Sequence, residues 1–337
     1  MELSFRPVKI QDFLTVQQKS TRPTMNHSLS RPTALMLFAV VVICWGVNWA
    51  ITKTLVQSVF PLWATAIRTA IATMALLILL VARGQFIIPR RGDIPVICAI
   101  ALLHMVAFSA LVAFGLRFVP VGRSIVLGYT TPLWVVPGAW LFLKEPMTRS
   151  RLAGTGIGLL GLIVLFNPLT LDWSDRNALT GSVLLLLAAL CWAANILYVR
   201  AHHWLSTPFQ LAFWQTLLAC VVLSVLALLF DGVPHIVWSP GLAAAFLYSG
   251  IFGTALAYWA MAVVNRSLPA TTTSLGILAT PVVGVLCSTR ALGEQIDASL
   301  VIAMVLILTG IAIGTIPLGK RADVEPEQAL TTTAVRT

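Results

Sequence analysis

Charge is what this sequence has least of. Only 10% of its 337 residues are Asp, Glu, Lys or Arg, where a water-soluble domain carries about a quarter, and that shortfall excludes soluble enzymes and nucleic-acid-binding domains. Acid is scarcer than base, with 12 carboxylates against 22 Lys and Arg and a net charge of +10. Such an excess points to a polyanion only when the cations share one exposed face. Here they are scattered between apolar runs, so nucleic acid is not an expected partner. Cysteine is also sparse. Cys44, Cys98, Cys191, Cys220 and Cys287 each fall alone inside an apolar run, which supports neither a disulfide framework nor a metal site. The runs lack a His-Glu-x-x-His, paired aspartates and a Ser/His pair in a Gly-rich setting, so neither an intramembrane enzyme nor a cofactor is expected.

What the chain does have is apolar sequence: 58% hydrophobic residues and a mean hydropathy of +0.91. Backbone amides in hydrocarbon must be satisfied within their own segment, so each run of roughly 20 apolar residues is a predicted helix. Ten are predicted: Ala34–Val56, Pro61–Ala82, Ile94–Leu116, Val121–Leu143 and Leu152–Phe166, then Gly181–Val199, Pro208–Phe230, Gly241–Val263, Ala270–Thr289 and Leu300–Pro317. The runs do not alternate, which excludes a β-barrel. With the N-terminus inside, sixteen Lys and Arg fall in cytoplasmic segments and five outside (Lys53, Arg117, Arg123, Arg176 and Arg290). The positive-inside rule therefore places both ends in the cytoplasm of a cell inner (plasma) membrane. Trp63, Trp173, Trp204 and Trp238 stand near run ends, as interface anchors do. Residues 1–33 read as a polar cytoplasmic tail without the apolar core of a cleaved signal. Met25 is a second candidate start, and 318–337 form a short polar tail.

The chain repeats itself. At an offset of 147, Cys44, Trp45, Asn48, Lys53 and Pro61 fall on Cys191, Trp192, Asn195, Arg200 and Pro208. At 149, Pro120, Thr131, Pro132, Glu145 and Gly161 fall on Pro269, Thr280, Pro281, Glu294 and Gly310. This divides the chain into repeats at 34–167 and 181–317, joined by a linker at 168–180. Each holds five spans, an odd number, so the second copy enters the membrane from the opposite side. The expectation is an all-α membrane protein of ten transmembrane helices, two inverted five-helix repeats around a central cavity, and hence an alternating-access carrier.

The Trp-x-x-Asn in the first span of each half, Pro61 with Arg68 seven residues on, and Pro132 and Pro281 each followed thirteen residues later by Glu resemble the EamA repeats of the drug/metabolite transporter superfamily. The resemblance implies a basket-shaped carrier whose relatives export amino acids and other small metabolites. The second half departs from the pattern, with Gln215 where symmetry places the mate of Arg68.

Several residues are candidates for a solute site. Asn48 and Asn195 are amides in apolar spans, flanked by Trp45, Trp49, Trp192 and Tyr198; they either bind solute or join helices. Arg68 lies about 10 Å inside its span, where a charge faces a cavity or a partner, or snorkels to the interface. His104 is mid-span, either a proton shuttle or a structural residue. Pro132 and Pro281 free the carbonyls of Gly128 and Ile277 near the midplane, beside Tyr129, Thr130, Thr131 and Thr280, as hinges or simple bends. Tyr258, with Trp259 and Asn265, extends the same set. Glu145 and Glu294 read as interface ion pairs with Lys144 and Arg290, and as gate parts. The Gly154, Gly156, Gly158 and Gly161 series packs either the halves or a second subunit of a homodimer.

No Asp or Glu lies inside a span. Cation efflux is disfavoured, and amino acids or related zwitterions moving outward are favoured. A nucleotide-sugar or lipid-linked solute carrier and a non-transporting scaffold are the alternatives.

Overall fold

The computed structural model describes residues 29–166 and 175–315. Trp173, Met25, most of the N-terminal tail, the first part of the linker and the C-terminal tail lie outside them. The described residues form ten helical rods and no strand. In order they are α1 (Arg31–Ser58), α2 (Pro61–Ala82), α3 (Arg91–Phe118), α4 (Val121–Leu143), α5 (Arg149–Leu165), α6 (Arg176–Ala201), α7 (Pro208–Phe230), α8 (Pro240–Ser267), α9 (Ala270–Gly276 and Ala279–Leu292) and α10 (Ala298–Thr315). Nine are long and apolar enough to cross a membrane. The exception, α5, has 17 residues, about 25 Å by helical rise against a hydrocarbon core of about 30 Å. Large side chains point outward all round, among them Met36, Phe142, Ile163 and Leu229, each more than 60% exposed. Such a surface is stable only in lipid, and the chain is a multi-pass membrane protein.

The ends follow from local chemistry. Pro61, Pro208 and Pro240 open their helices, where the missing N–H costs nothing. Thr207 and Gln210 form a reciprocal cap on α7, and Asp175 caps α6 through the N–H groups of Asn177 and Ala178. At the far ends of α4 and α9 the chain reverses through left-handed residues, Lys144 (φ 55°) and Gly293 (φ 68°). They are repeat mates, and each is followed by its glutamate.

Two irregularities recur in both halves. The fourth and ninth rods are interrupted at midspan, between Gly128 and Thr131 and between Gly276 and Ala279, with Pro132 and Pro281 at the start of the resumed helix. The third and eighth rods widen into π-helix over Ile100–Phe108 and Tyr248–Leu256. There the Ser109 and Thr254 hydroxyls donate to carbonyls five residues back, His104 and Ser249.

Packing pairs exchange between halves. α1 lies on α9 as α6 lies on α4, while α2 lies on α7 and α5 on α10. The α5/α10 contact is the closest. Gly154 and Gly161 face Gly310, Gly314 and Ile307 of α10 and Gly158 faces Leu133 of α4, so this glycine face is filled within the chain, and Gly156 alone points away into open space.

Candidate functional site

The broken and widened helices surround a cavity of about 150 Å³ at mid-depth. α1 presents Trp45, Asn48, Trp49 and Thr52, which lie within about 100° of one another at 100° per residue. α2 contributes Arg68 and Thr69, and α7 contributes Thr216, the repeat mate of Thr69. The π-turn of α3 turns His104, Met105 and Phe108 inward, with Ser109 and Val112 above them, and α8 supplies Gly253 and Thr254 from its π-turn and Tyr258 from the α-helix just beyond it. Tyr129 reaches in from the break in α4, and Trp192 from α6. A π-turn places consecutive side chains where an α-helix would turn one away, and such turns are frequent at functional sites.

One wall is aromatic. The His104 ring stacks on Trp192 at 5.5 Å and lies 5.3 Å from Phe108 and 6.4 Å from Tyr258. Trp192 meets Tyr129 edge-on at 6.0 Å. Across the space, Trp49 rests against Gly128 and Asn48 against Gly253, so closely that a Cβ at either glycine would overlap the neighbouring side chain. Arg68 has no hydrogen-bond or carboxylate partner among the described residues. The Thr52, Thr69 and Thr216 hydroxyls spend their hydrogens on the carbonyls of Asn48, Thr65 and Ala212.

Eight sequence candidates therefore meet at one space: Trp45, Asn48, Trp49, Arg68, His104, Tyr129, Trp192 and Tyr258. Three do not line it. The buried Thr131 hydroxyl bonds the Gly128 carbonyl at 2.8 Å, so the carbonyl freed by Pro132 is satisfied locally. Asn195 is buried with its Oδ1 unpartnered. Tyr198 lies on the outside of α6, its ring parallel to His202 at 6.3 Å. Of the neighbours, Trp259 lies under the Arg83 guanidinium at 4.5 Å, Asn265 is exposed, and Gln215 is buried with an unpartnered Nε2.

The two glutamates have other partners than the expected Lys144 and Arg290. The left-handed turn before each carboxylate directs it back over the bundle. Glu294 accepts from the Val121 and Gly122 N–H groups at 2.7 and 3.0 Å, capping α4. Beside it, Lys53 Nζ donates to the carbonyls of Leu116 and Val119, which end α3. Their mates do nothing equivalent. Glu145 pairs with Arg151 at 2.9 Å and with Arg200 at 3.4 Å. Packing shows the same asymmetry: Val121–Gly128 lies against Ala279–Leu292, whereas Thr131–Leu143 and Ala270–Gly276 make no comparable contact. No group of His, Cys, Asp and Glu among the described residues has metal-site geometry.

Known proteins resemble this chain. The profile of the EamA-like transporter family matches twice, over residues 32–167 and 179–316. The uncharacterized transporter YoaV of Bacillus subtilis is 24% identical over 83% of this chain and 96% of its own. Proteins named probable amino-acid metabolite efflux pumps are 26% identical in Salmonella typhimurium, over 85% of this chain and 95% of theirs, and 24% identical in Escherichia coli, over 88% and 99%. A crystal structure 19% identical in sequence matches with a TM-score of 0.60 over 85% of this chain and 97% of its own.

Proposed function

The chain belongs to the EamA-like transporter family, and from that premise we propose a carrier of the cell inner membrane that moves amino acids or related zwitterions outward by alternating access. Ten spans, with α5 as the short one, form two inverted halves with both termini in the cytoplasm. The cavity between the halves is the solute site. Asn48, Arg68, His104, Tyr129, Tyr258 and the rings of Trp45, Trp49 and Trp192 line it, while Thr131, Asn195 and Tyr198 support its walls. The breaks at Pro132 and Pro281 are the hinges.

The observation that carries this reading is the unequal state of two equivalent clamps. On the outer side Glu294 and Lys53 grip the α3–α4 corner. Their inner mates, Glu145 and Arg200, are positioned by the repeat to grip the α8–α9 corner but bind each other instead. A carrier closed outside and open inside has this pattern, and inverted halves supply a mirror state of similar energy in which the clamps exchange roles. The cavity, at about 150 Å³, is below the 300–1,000 Å³ range of pockets for drug-sized ligands. That favours a small metabolite over a nucleotide sugar. The names of the two efflux-pump relatives point the same way.

Overexpression is expected to lower intracellular amino acids in cells fed dipeptides and to raise resistance to toxic amino-acid analogues. Unchanged pools and unchanged resistance would overturn the proposed solute class. Topology has its own check. In a cysteine-free background, Ser58→Cys and His203→Cys, both exposed near the ends of the equivalent rods α1 and α6, should react with an impermeant maleimide from opposite faces of the membrane. Labelling from one face would refute the inverted halves.

A further inference from the structure

The cavity holds one fixed charge and nothing to balance it. Arg68 lines the space with its guanidinium free of any hydrogen-bond or carboxylate partner among the described residues, and no Asp or Glu lines the space with it. An unpaired guanidinium carries five N–H donors that must find acceptors, and at membrane depth an unpaired cation is costly. Asn48 adds to the donor side. Its Oδ1 is buried against Gly253 without a partner, which leaves the Nδ2 end for the cavity. The threonine hydroxyls accept from a bound N–H group, yet they carry no charge. The walls are rings, with Trp192, His104 and Phe108 in one cluster, His104 stacked on Trp192 and Phe108 tilted against both.

Resting on the reading of this cavity as the solute site, we infer that the carboxylate of a solute is the counter-ion of Arg68, so that beside the amino acid the site takes a small ring-bearing carboxylate of net charge −1 and holds it more tightly than the zwitterion of the same skeleton. A monoanion leaves the loaded cavity neutral. A zwitterion satisfies the guanidinium but brings an ammonium for which the cavity has only neutral acceptors and indole faces, so the loaded site stays at +1. An amine of the same skeleton places two cations together and is excluded. Charge-assisted pairing to Arg68 strengthens where water is scarce, so the order acid, then zwitterion, then amine follows from charge alone.

A matched series tests this at fixed ring and chain length: 3-phenylpropionate, 3-phenylpropanamide, phenylalanine and 3-phenylpropylamine, titrated by calorimetry into the full chain in lipid nanodiscs at pH 7. The acid should bind at least about tenfold more tightly than phenylalanine, and the amine should not bind. Arg68→Gln should equalise acid and amide, and Arg68→Lys should keep the acid ahead. The wild-type ranking stands whether or not either variant folds. Phenylalanine binding as well as or better than the acid overturns the inference and leaves the carrier intact, as does an acid no better than its amide. Saturable flux of phenylalanine or of the membrane-impermeant analogue 3-phenylpropane-1-sulfonate in proteoliposomes tests the carrier itself; absence of both would remove the transport reading and this inference with it.

Discussion

Gly310→Leu is expected to abolish accumulation of the folded protein, whereas Gly156→Leu, on the same glycine-rich helix pair, should leave it near the wild-type level. A Cβ at Gly310 would stand 2.5 Å from the Gly154 carbonyl oxygen and 2.6 Å from the Gly158 nitrogen. One at Gly154 would stand 2.4 Å from the Gly310 oxygen. These neighbours are backbone atoms in a helix, which no rotamer change can clear. α5 and α10 would have to separate along their whole length. In lipid such a loss is serious, because helices there associate through van der Waals contact with no hydrophobic force to hold a loosened pair. Inserting even one methyl group into a close-packed contact costs about 1–3 kcal/mol, against a total stability of about 5–15 kcal/mol for a folded protein. Leucine adds three further carbons. At Gly156 nothing lies within 4 Å, so the new side chain meets lipid. Fluorescence-detected gel filtration of tagged variants, with thermal midpoints in detergent, distinguishes the two. A monodisperse Gly310→Leu peak at the wild-type midpoint would show that α5 and α10 do not pack as described.

The rods were legible because the bilayer sets their length and the backbone leaves no alternative. Every span predicted from apolar runs has its helix, and the observed ends differ mainly by added polar turns, such as Arg31–Thr33 before the predicted start of α1 and Gln57–Ser58 after its predicted end. Half the cavity lining could be read for the same kind of reason. Trp45, Asn48 and Trp49 share a stripe at helical spacing, and the same stripe contains Thr52, one turn beyond Asn48, which residue-by-residue reading passed over. Tyr198 shows the opposite error. It is six residues past Trp192, about 240° round an α-helix, and that angle alone turns it away from the cavity.

Met105, Phe108, Gly253 and Thr254 had no such signal. They reach the cavity because α3 and α8 are wound as π-helix there, and the segment Ile100–Phe108 contains no residue type that marks a wider turn. The partners of the glutamates were illegible for a related reason. Lys144 and Arg290 are near in sequence, but the left-handed residue before each carboxylate reverses its direction. Contacts between halves, such as Glu294 to the start of α4, depend on how the two copies meet, which no single run encodes.

Glu294→Ala should shift the resting protein from closed outside towards open outside. The wild-type carboxylate receives two backbone N–H groups at 2.7 and 3.0 Å, at a helix start where a negative charge is favoured. Hydrogen bonds to a charged group contribute about 1.5–3 kcal/mol each. Part of that returns when water reaches the freed N–H groups of Val121 and Gly122. A net loss of about 1.4–2.8 kcal/mol then moves the conformational ratio ten- to a hundredfold. The shift is measured with Ser109→Cys, on the cavity wall in the C-terminal half of α3, the outer half in the proposed topology, in a cysteine-free background: an impermeant thiol reagent added outside should modify it faster when Glu294→Ala is present. Glu145→Ala should act in the opposite sense, because it removes the clamp that holds the mirror state, and the Arg200 it releases is half-exposed and readily solvated. Opposite signs from two residues related by the repeat are the signature of exchange between two states. Destabilisation of a static bundle would loosen the cavity in both variants alike. Faster external modification in both, or unchanged rates in both, would therefore remove the glutamates from the gates and leave Glu294 as a helix cap only.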